Sequence, residues 1–383
     1  MEKYKLVKYK KGKIVLKYAQ NAEDYFYIIS SGKVIAYNDF YEKTYMYKRG
    51  DIIGLISSVS KEPYYSTIET IEDTELWKIK TKYITKINNV HLINRISHYL
   101  SFIFEIWLSK YYTEIVKNKM DLYNKEDILT IANIYKNNGF KDASYKICSD
   151  YIKLFNSDYN VDKVKNFIKS IDKVKEPQHI NNNSYKIYKG YCLYSELGSN
   201  NNIYYIRSGR VGIYNIIDSD YSTRIIYPKE YIIDSSRPKL EYTPLSATAI
   251  VLEDSIIDIM SRDELIKQIC YDKEIRLKIV RMISMKVVST ILKIKAIKKS
   301  NFKDTLIVFI YSLLKVETLF YNKEYIKLYY KMEDIKNMLH KDIDIDEIKN
   351  TLKTINHVEF DSFNNIIITN IKKYFDEYKI ETE

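Results

Sequence analysis

Few residues in this chain have the types and spacing that chemistry needs. Five histidines, His91, His98, His179, His340 and His357, are scattered, and only His91 and His98 share one helical pattern, seven residues apart. Zinc-binding pairs are spaced more closely, so each histidine reads as structural or exposed. Cys148, Cys192 and Cys270 are far apart and odd in number. That excludes a disulfide framework, a four-thiolate zinc site and a four-cysteine iron–sulfur cluster. They read as reduced, mostly buried thiols of a cytoplasmic protein. No Gly-x-Ser-x-Gly elbow and no phosphate-binding loop occur. An enzyme is not expected, and no metal or cofactor is called for. What remains is a pocket candidate: Gly50-Asp51-Ile52-Ile53-Gly54 followed by Pro63-Tyr64-Tyr65-Ser66-Thr67. Gly50, Gly54, Tyr64, Tyr65, Ser66 and Thr67 would form a floor with an aromatic wall, suited to an apolar or planar ligand rather than a phosphate.

These residues must be positioned by elements that the chain is long enough to supply. At 383 residues, with 46% apolar and 29% charged residues, it is globular and has room for two or three domains. No run reaches the roughly 18–20 apolar residues of a membrane span, and the N-terminus lacks the apolar core of a secretion signal. A cytoplasmic protein with no membrane partner is expected. The net charge of +11 suggests an anionic partner, but it is unevenly spread. Residues 271–301 hold nine Lys or Arg against two acids, whereas residues 302–383 hold twelve bases against fifteen acids.

Glycine clusters twice, at Gly12, Gly32, Gly50 and Gly54 and again at Gly190, Gly198, Gly209 and Gly212. The windows match each other. Tyr27-Ile28-Ile29-Ser30-Ser31-Gly32-Lys33-Val34 aligns with Tyr204-Tyr205-Ile206-Arg207-Ser208-Gly209-Arg210-Val211, and Tyr37-Asn38 aligns with Tyr214-Asn215 at the same offset. A strand, a Ser-Gly turn and a strand repeated at one offset mark a duplicated β-rich unit. Each copy is followed by helix. Ile93, Ile96, Leu100, Phe104, Trp107 and Tyr111 form one apolar stripe, and Ile279, Ile283, Val287, Ile291 and Ile294 form another. The second stripe, in residues 272–300, is either a homodimer seam or a helix packed on its own barrel. Between the copies, Ile131 to Ala143 reads as a single tetratricopeptide-like hairpin in a helical connector.

The repeats resemble the cyclic-nucleotide-binding domain of the cyclic-AMP receptor protein and fumarate–nitrate regulator (Crp/Fnr) superfamily. The residues that carry the resemblance are Tyr25 to Val34 with Gly50 to Gly54, and Ile203 to Val211 in the second copy. The resemblance implies a β-roll, a long helix and a C-terminal winged helix-turn-helix. It also implies a phosphate cassette in which Glu holds the ribose and Arg pairs with the cyclic phosphate. Here Gly54 is followed by Leu55-Ile56-Ser57-Ser58, without the Glu. The Arg and Ser positions fall at Tyr64 and Tyr65 in the first copy, and the Arg position falls near Pro244 in the second. Tyrosine cannot replace the guanidinium fork, so cyclic AMP is not expected to bind in the family's manner, and the effector is unknown.

Residues 302–383 are similar to the family's winged helix. Met332 to Leu339 matches the first helix of the motif and Asp344 to Ile355 the recognition helix, with Asp344 as N-cap and Glu347 completing a capping-box variant. Val358-Glu359-Phe360 and Ile366-Ile367-Ile368 would be the wing. The family's DNA-reading arginines are absent. Lys341, Lys349, Asn350 and Lys353 are the candidate contacts, with Lys298 and Lys299 adding charge from just before the domain, and Asn can read adenine bidentately.

The expected class is α+β: a cyclic-nucleotide-binding-like roll with its helix in residues 1–118, a helical connector in 119–176, a second roll with a long helix in 177–301 and a winged helix in 302–383. The resemblance implies a Crp/Fnr-like transcription regulator acting on double-stranded DNA as a homodimer through residues 272–300. The alternative is a scaffold or signalling protein that does not bind DNA.

Overall fold

A computed structural model describes residues 4–116, 128–198, 201–217, 220–234 and 247–379. The chain opens with β1 (Tyr4–Tyr9), β2 (Ile14–Leu16), β3 (Tyr25–Ser31), β4 (Val34–Asn38), β5 (Tyr41–Tyr47), β6 (Ile52–Ile53), α1 (Leu55–Ser60), β7 (Thr67–Thr70) and β8 (Thr74–Lys80). These strands make two four-stranded antiparallel sheets, β1-β8-β3-β6 and β2-β7-β4-β5. Alternating residues such as Tyr27, Ile29, Val34, Ala36, Ile68 and Leu76 turn inward to one core. Gly32 makes the β3–β4 turn at φ +85°, where a Cβ would come within 2.5 Å of Thr74 Oγ1. Only glycine meets both demands.

Helices follow: α2 (Val90–Val116), α3 (Ile128–Asn137), α4 (Lys141–Leu154) and α5 (Val161–Ile168). The expected connector begins in residues 119–127, which lie outside the described ones. The rest of it is a hairpin of α3 and α4, closed by Ser144 Oγ donating to Ala132 O at 2.7 Å. Its apolar face packs on Cys192, Tyr214, Ile216 and Ile250 of the strands that come next.

Those strands are β9 (Gln178–Asn181), β10 (Ser184–Ile187), β11 (Cys192–Tyr194), β12 (Asn202–Ser208), β13 (Val211–Ile217), β14 (Asp220–Tyr227), β15 (Ile232–Asp234), β16 (Thr248–Val251) and β17 (Ser255–Ser261). Their sheets, β15-β12-β17-β10-β9 and β11-β16-β13-β14, repeat the first strand order with β9 added at an edge. The registers repeat too. Tyr27 pairs with Ile53 and Tyr204 with Ile233, and the ladder with the neighbouring strand slips between Ile29 and Ser31 as it does between Ile206 and Ser208.

The chain continues as α6 (Arg262–Tyr271), α7 (Lys273–Lys298) and α8 (Phe302–Thr318). Asp272 caps α7 by accepting from the N–H groups of Glu274 and Ile275 at 2.8 and 3.1 Å, and Asn301 caps α8 in the same way. The stripe expected as a dimer seam is covered within the chain. Ile279, Val287, Ile291 and Ile294 are at most 4% exposed, because α7 packs on α1, on the 3-10 turn at Thr81–Lys86 and on α8. Ser289 Oγ donates to Ser312 O at 2.9 Å across the α7–α8 contact. A homodimer through residues 272–300 would therefore need a surface other than this stripe.

The last elements are β18 (Ile326–Lys327), α9 (Met332–Leu339), α10 (Ile345–Lys353), β19 (Val358–Phe360), β20 (Ile366–Ile368) and α11 (Ile371–Glu377), with β18-β20-β19 forming a small sheet. Asp344 occupies the N-cap of α10, but its side chain makes no capping hydrogen bond, so the expected capping box does not form. Two compact units result. One holds residues 1–111, 266–323 and 370–383, and the other residues 112–265 and 324–369. No described helix is long and apolar enough to cross a membrane.

Candidate functional site

The pocket predicted in the first roll is built from the Gly50 turn, α1 and the segment before β7. Gly50 has φ +89° and donates its N–H to Ile29 O at 2.7 Å, while the Arg95 guanidinium from α2 lies where a Cβ would project. Gly54, at φ +77°, starts α1, whose Ser57 and Ser58 hydroxyls are turned to the carbonyls of Pro63 and Tyr25 at 3.1 and 2.5 Å. These hydroxyls are therefore not aimed at a ligand. The segment before β7 is anchored by Tyr64, whose N–H donates to Gln20 O at 2.9 Å and whose hydroxyl accepts the Glu23 N–H at 3.1 Å.

The space these elements enclose is a cavity of about 20 Å³ lined by Tyr47, Tyr64, Tyr65, Tyr99, Gly54 and Ser66 among others. That is room for about one water, whereas small-molecule sites run to several hundred Å³. Burial pushes the Tyr65 hydroxyl up to about 12 and the Tyr99 hydroxyl well above its usual value, so both rings stay neutral. Tyr65 also stands edge-on to Trp107 of α2 at 5.6 Å. No cation lines the cavity to pair with a phosphate. The tyrosine wall expected from the sequence is present, but it fills the pocket rather than framing one. Gly54, Tyr64, Tyr65 and Ser66 meet there. Gly50 lies outside the lining, and so does Thr67, which accepts the Tyr18 N–H at 3.0 Å. Tyr47 and Tyr99 were not singled out from the sequence. They arrive from β5 and α2, distant in sequence, and no local spacing marks them.

In the second roll Glu230 takes the place of Gly50. It holds φ +73°, donates its N–H to Ile206 O at 2.7 Å and is fixed by the Tyr205 hydroxyl at 2.7 Å. The turn survives the loss of glycine. The position expected for the cassette Arg, near Pro244, lies outside the described residues. Nearby, Glu196 is buried, accepts from the Tyr135 hydroxyl of α3 at 2.6 Å and lies within 3.5 Å of Thr248 Oγ1. Burial raises its carboxyl to about 7, against the opposing effect of those hydrogen bonds and of Arg224.

The DNA-contact candidates are divided between the two units. Lys298 and Lys299 end α7 in the first, whereas Lys341, Lys349, Asn350 and Lys353 belong to the second. Asn350 and Lys353 are exposed on α10 beside Asp346 and Glu347. Lys349 Nζ donates to Asn364 Oδ1 of the β19–β20 hairpin at 2.6 Å, so it ties the helix to the hairpin. Lys341 is half-buried just after His340, which makes the α9–α10 turn at φ +46° without glycine. α9 itself is fixed to β14: Thr223 Oγ1 donates to Asp334 at 2.7 Å, Asn337 Nδ2 to Tyr221 O at 3.0 Å and the Ile226 N–H to Tyr330 Oη at 2.9 Å. Among the described residues no cluster of His, Cys, Asp and Glu could hold a metal ion.

Among the comparisons with known proteins, a family match falls on the first roll. The family described as cyclic nucleotide-binding domain matches residues 6–89. Among solved structures, PKAR CBD2 bound to Sp-2Cl-cAMPS is 25% identical at a TM-score of 0.20, over 21% of this chain and 53% of that one. FixK2 from Bradyrhizobium japonicum is 12% identical at a TM-score of 0.39, over 53% and 97%, and CprK complexed with OCPA is 13% identical at 0.37, over 51% and 88%. The chain spans about half the length of the first of these structures. A search of curated proteins finds no match. Residues 6–89 are thus similar to a cyclic nucleotide-binding domain, and the tyrosine-lined cavity beside Gly54 in that segment has room for about one water.

Proposed function

We propose that the chain is a Crp/Fnr-like transcription regulator that carries two cyclic-nucleotide-binding-like rolls and binds duplex DNA through the α9–α10 pair and the β19–β20 wing. The observation that carries the reading is the exposed face of α10, where Asn350 and Lys353 stand clear while Lys349 braces the helix against Asn364 of the hairpin. Asn350 can read an adenine edge and Lys353 can meet a phosphate. Asp346 and Glu347 open the helix and would repel phosphates, so the C-terminal half of α10 is the part that approaches DNA. Because α9 is bonded to β14, the pair moves with the second roll, and a change there reaches the DNA-facing helix directly. The first roll acts as scaffold and is not gated by cyclic AMP.

Fluorescence anisotropy of the full chain on pooled AT-rich duplexes, titrated in salt, tests this. Lys353→Glu is expected to weaken binding across all sequences and to flatten the salt dependence by about one phosphate contact. Asn350→Ala is expected to cost about 1–3 kcal/mol, roughly 5- to 150-fold, on its preferred site alone. Duplex affinity unchanged in both variants would overturn the reading. The acids of α10 would then favour the scaffold or signalling alternative.

A further inference from the structure

The β19–β20 hairpin turns through Asp361-Ser362-Phe363-Asn364-Asn365, and Asp361 holds that turn together. Its carboxylate accepts the N–H groups of Phe363 and Asn365 at 2.9 and 2.8 Å and the Asn365 side-chain amide at 2.9 and 2.8 Å. Its backbone N–H donates to Asn365 O at 3.1 Å, and its carbonyl accepts the Asn364 N–H at 3.0 Å, with Asn364 at φ +61°. Asparagine tolerates that left-handed conformation. Two lysines hold the turn from outside: Lys327 of β18 pairs with Asp361 at 2.8 Å, and Lys349 of α10 donates to Asn364 Oδ1 at 2.6 Å. On this fixed tip Phe363 is 82% exposed. The turn uses only its backbone N–H, and among the described residues no ring or cation rests on its side chain. The whole ring is open to a partner.

The position of the tip indicates which partner. Lys349 and Lys353 stand one helical turn apart on one face of α10, so the tip that Lys349 holds lies beside the face that carries Lys353. Asp361 is already paired with Lys327, and Ser362, Phe363 and Asn364 are uncharged, so the tip offers apolar contact rather than phosphate pairing. A protein interface gathers several apolar anchors in one packed patch. Phe363 is flanked instead by Ser362 and Asn364. Tyr325 precedes Ile326, which pairs with Ile368 at the end of β20 away from the tip, and Tyr329 is covered by the Arg210 guanidinium at 3.6 Å. A lone ring on a rigid turn has the form of a wedge, which enters a base stack, unstacks one step and kinks the duplex.

We infer that Phe363 is such a wedge: granted the duplex contact proposed for α10, on which this rests, its ring enters the stack at one base step beside that contact and bends the DNA there. The test uses the full chain and the tightest duplex from the AT-rich pool, of about 30 base pairs. In it 2-aminopurine, a base that brightens when unstacked, replaces each adenine in turn. Saturating parent is expected to brighten the probe at a single step of the bound site. Phe363→Ala is expected to weaken binding about tenfold with the salt slope unchanged, since an inserted ring releases no counterions, and to leave every probe dim at saturation. Phe363→Leu keeps an apolar wedge and is expected to retain the bright step. Lys353→Glu should do the reverse of the alanine variant, flattening the salt slope while the bright step persists once the DNA is saturated. The wedge is overturned if saturating parent leaves every probe dim, or if Phe363→Ala keeps either the parent's affinity or its bright step. Where the Asn350 and Lys353 variants still lose affinity, the duplex reading stands and the wedge alone falls. A parent that binds no duplex ends both.

Discussion

Tyr64 and Tyr65 stand where the resemblance would place Arg and Ser, and the consequence is steric as well as electrostatic. Removing the guanidinium takes away the phosphate's partner, and the cavity that the rings line has room for about one water. Tyr64→Ala should therefore do two things. It should lower stability by about 3–5 kcal/mol in a denaturant titration, as for other buried aromatic truncations. It should also open an apolar cavity, so that indole raises the melting temperature of the variant and not of the parent. Equal indole shifts in both would mean that the parent cavity is already open. Glu196 makes a second residue-scale prediction. Its carboxyl is raised from 4.5 to about 7 by burial, so the folded chain holds that proton more tightly than the unfolded one. Stability then falls as pH rises from about 4.5 to 7 and levels off above it. Glu196→Gln should flatten that fall and be the more stable protein at pH 8, by up to roughly 3 kcal/mol. Some slope persists in the variant, because burial also raises Asp142 and Asp334. A parent whose stability is flat between pH 4.5 and 7 would remove the argument.

At the scale of elements, the two rolls show what a sequence encodes legibly and what it does not. The Ser-Gly turns at Gly32 and Gly209 are local chemistry, so the repeat offset located β3, β4, β12 and β13 directly. The Gly50 turn is not so transparent. Its counterpart ends in Glu230 and looks lost on paper, yet Glu230 donates the same backbone hydrogen bond. A Tyr205 hydroxyl, far off in sequence, helps hold it in the left-handed region. The copies differ in what surrounds the turn. At Gly50 the atoms nearest to where a Cβ would project are the tip of the exposed Arg95 side chain, which can swing aside, so Gly50→Ala costs chiefly the left-handed backbone, about 1–2 kcal/mol. We expect Gly50→Ala to lose about that much in a denaturant titration and the loss to be the same in an Arg95→Ala background. A loss that shrinks in the double variant would show instead that Arg95 is held in place and clashes. α7 was ambiguous for a related reason. An apolar stripe states that something covers it and not whether the cover belongs to the same chain.

At the scale of the whole molecule, linear domain boundaries hide how the units are assembled. The first roll draws on α7, α8 and α11 from far along the chain, while α9, α10 and the small sheet belong with the second roll. Periodicity marks α7 and the resemblance marks α9 and α10, while α11 carries no such signal. Neither kind of signal says which core a helix enters, because that depends on contacts hundreds of residues apart. Cutting the chain after Asn301, the natural way to separate a terminal DNA-binding domain, therefore removes more than a domain. It strips α8 from α7, leaving Ser289 without the Ser312 carbonyl and the apolar faces of Val287 and Ile291 without part of their cover. It also deletes the buried run Leu306, Ile307, Val308, Phe309 and Ile310, whose burial stabilises the first unit by about 1.5–3 kcal/mol per side chain as an upper bound. Folded domains have only about 5–15 kcal/mol to lose. A chain ended after Asn301 is thus expected to bind a hydrophobic dye and to lose its cooperative melting transition. Lys353→Glu, made on exposed surface, should melt like the parent. If the shortened chain kept the parent's transition, α8 would be dispensable to the first unit, and residues 302–383 would be a separable module after all.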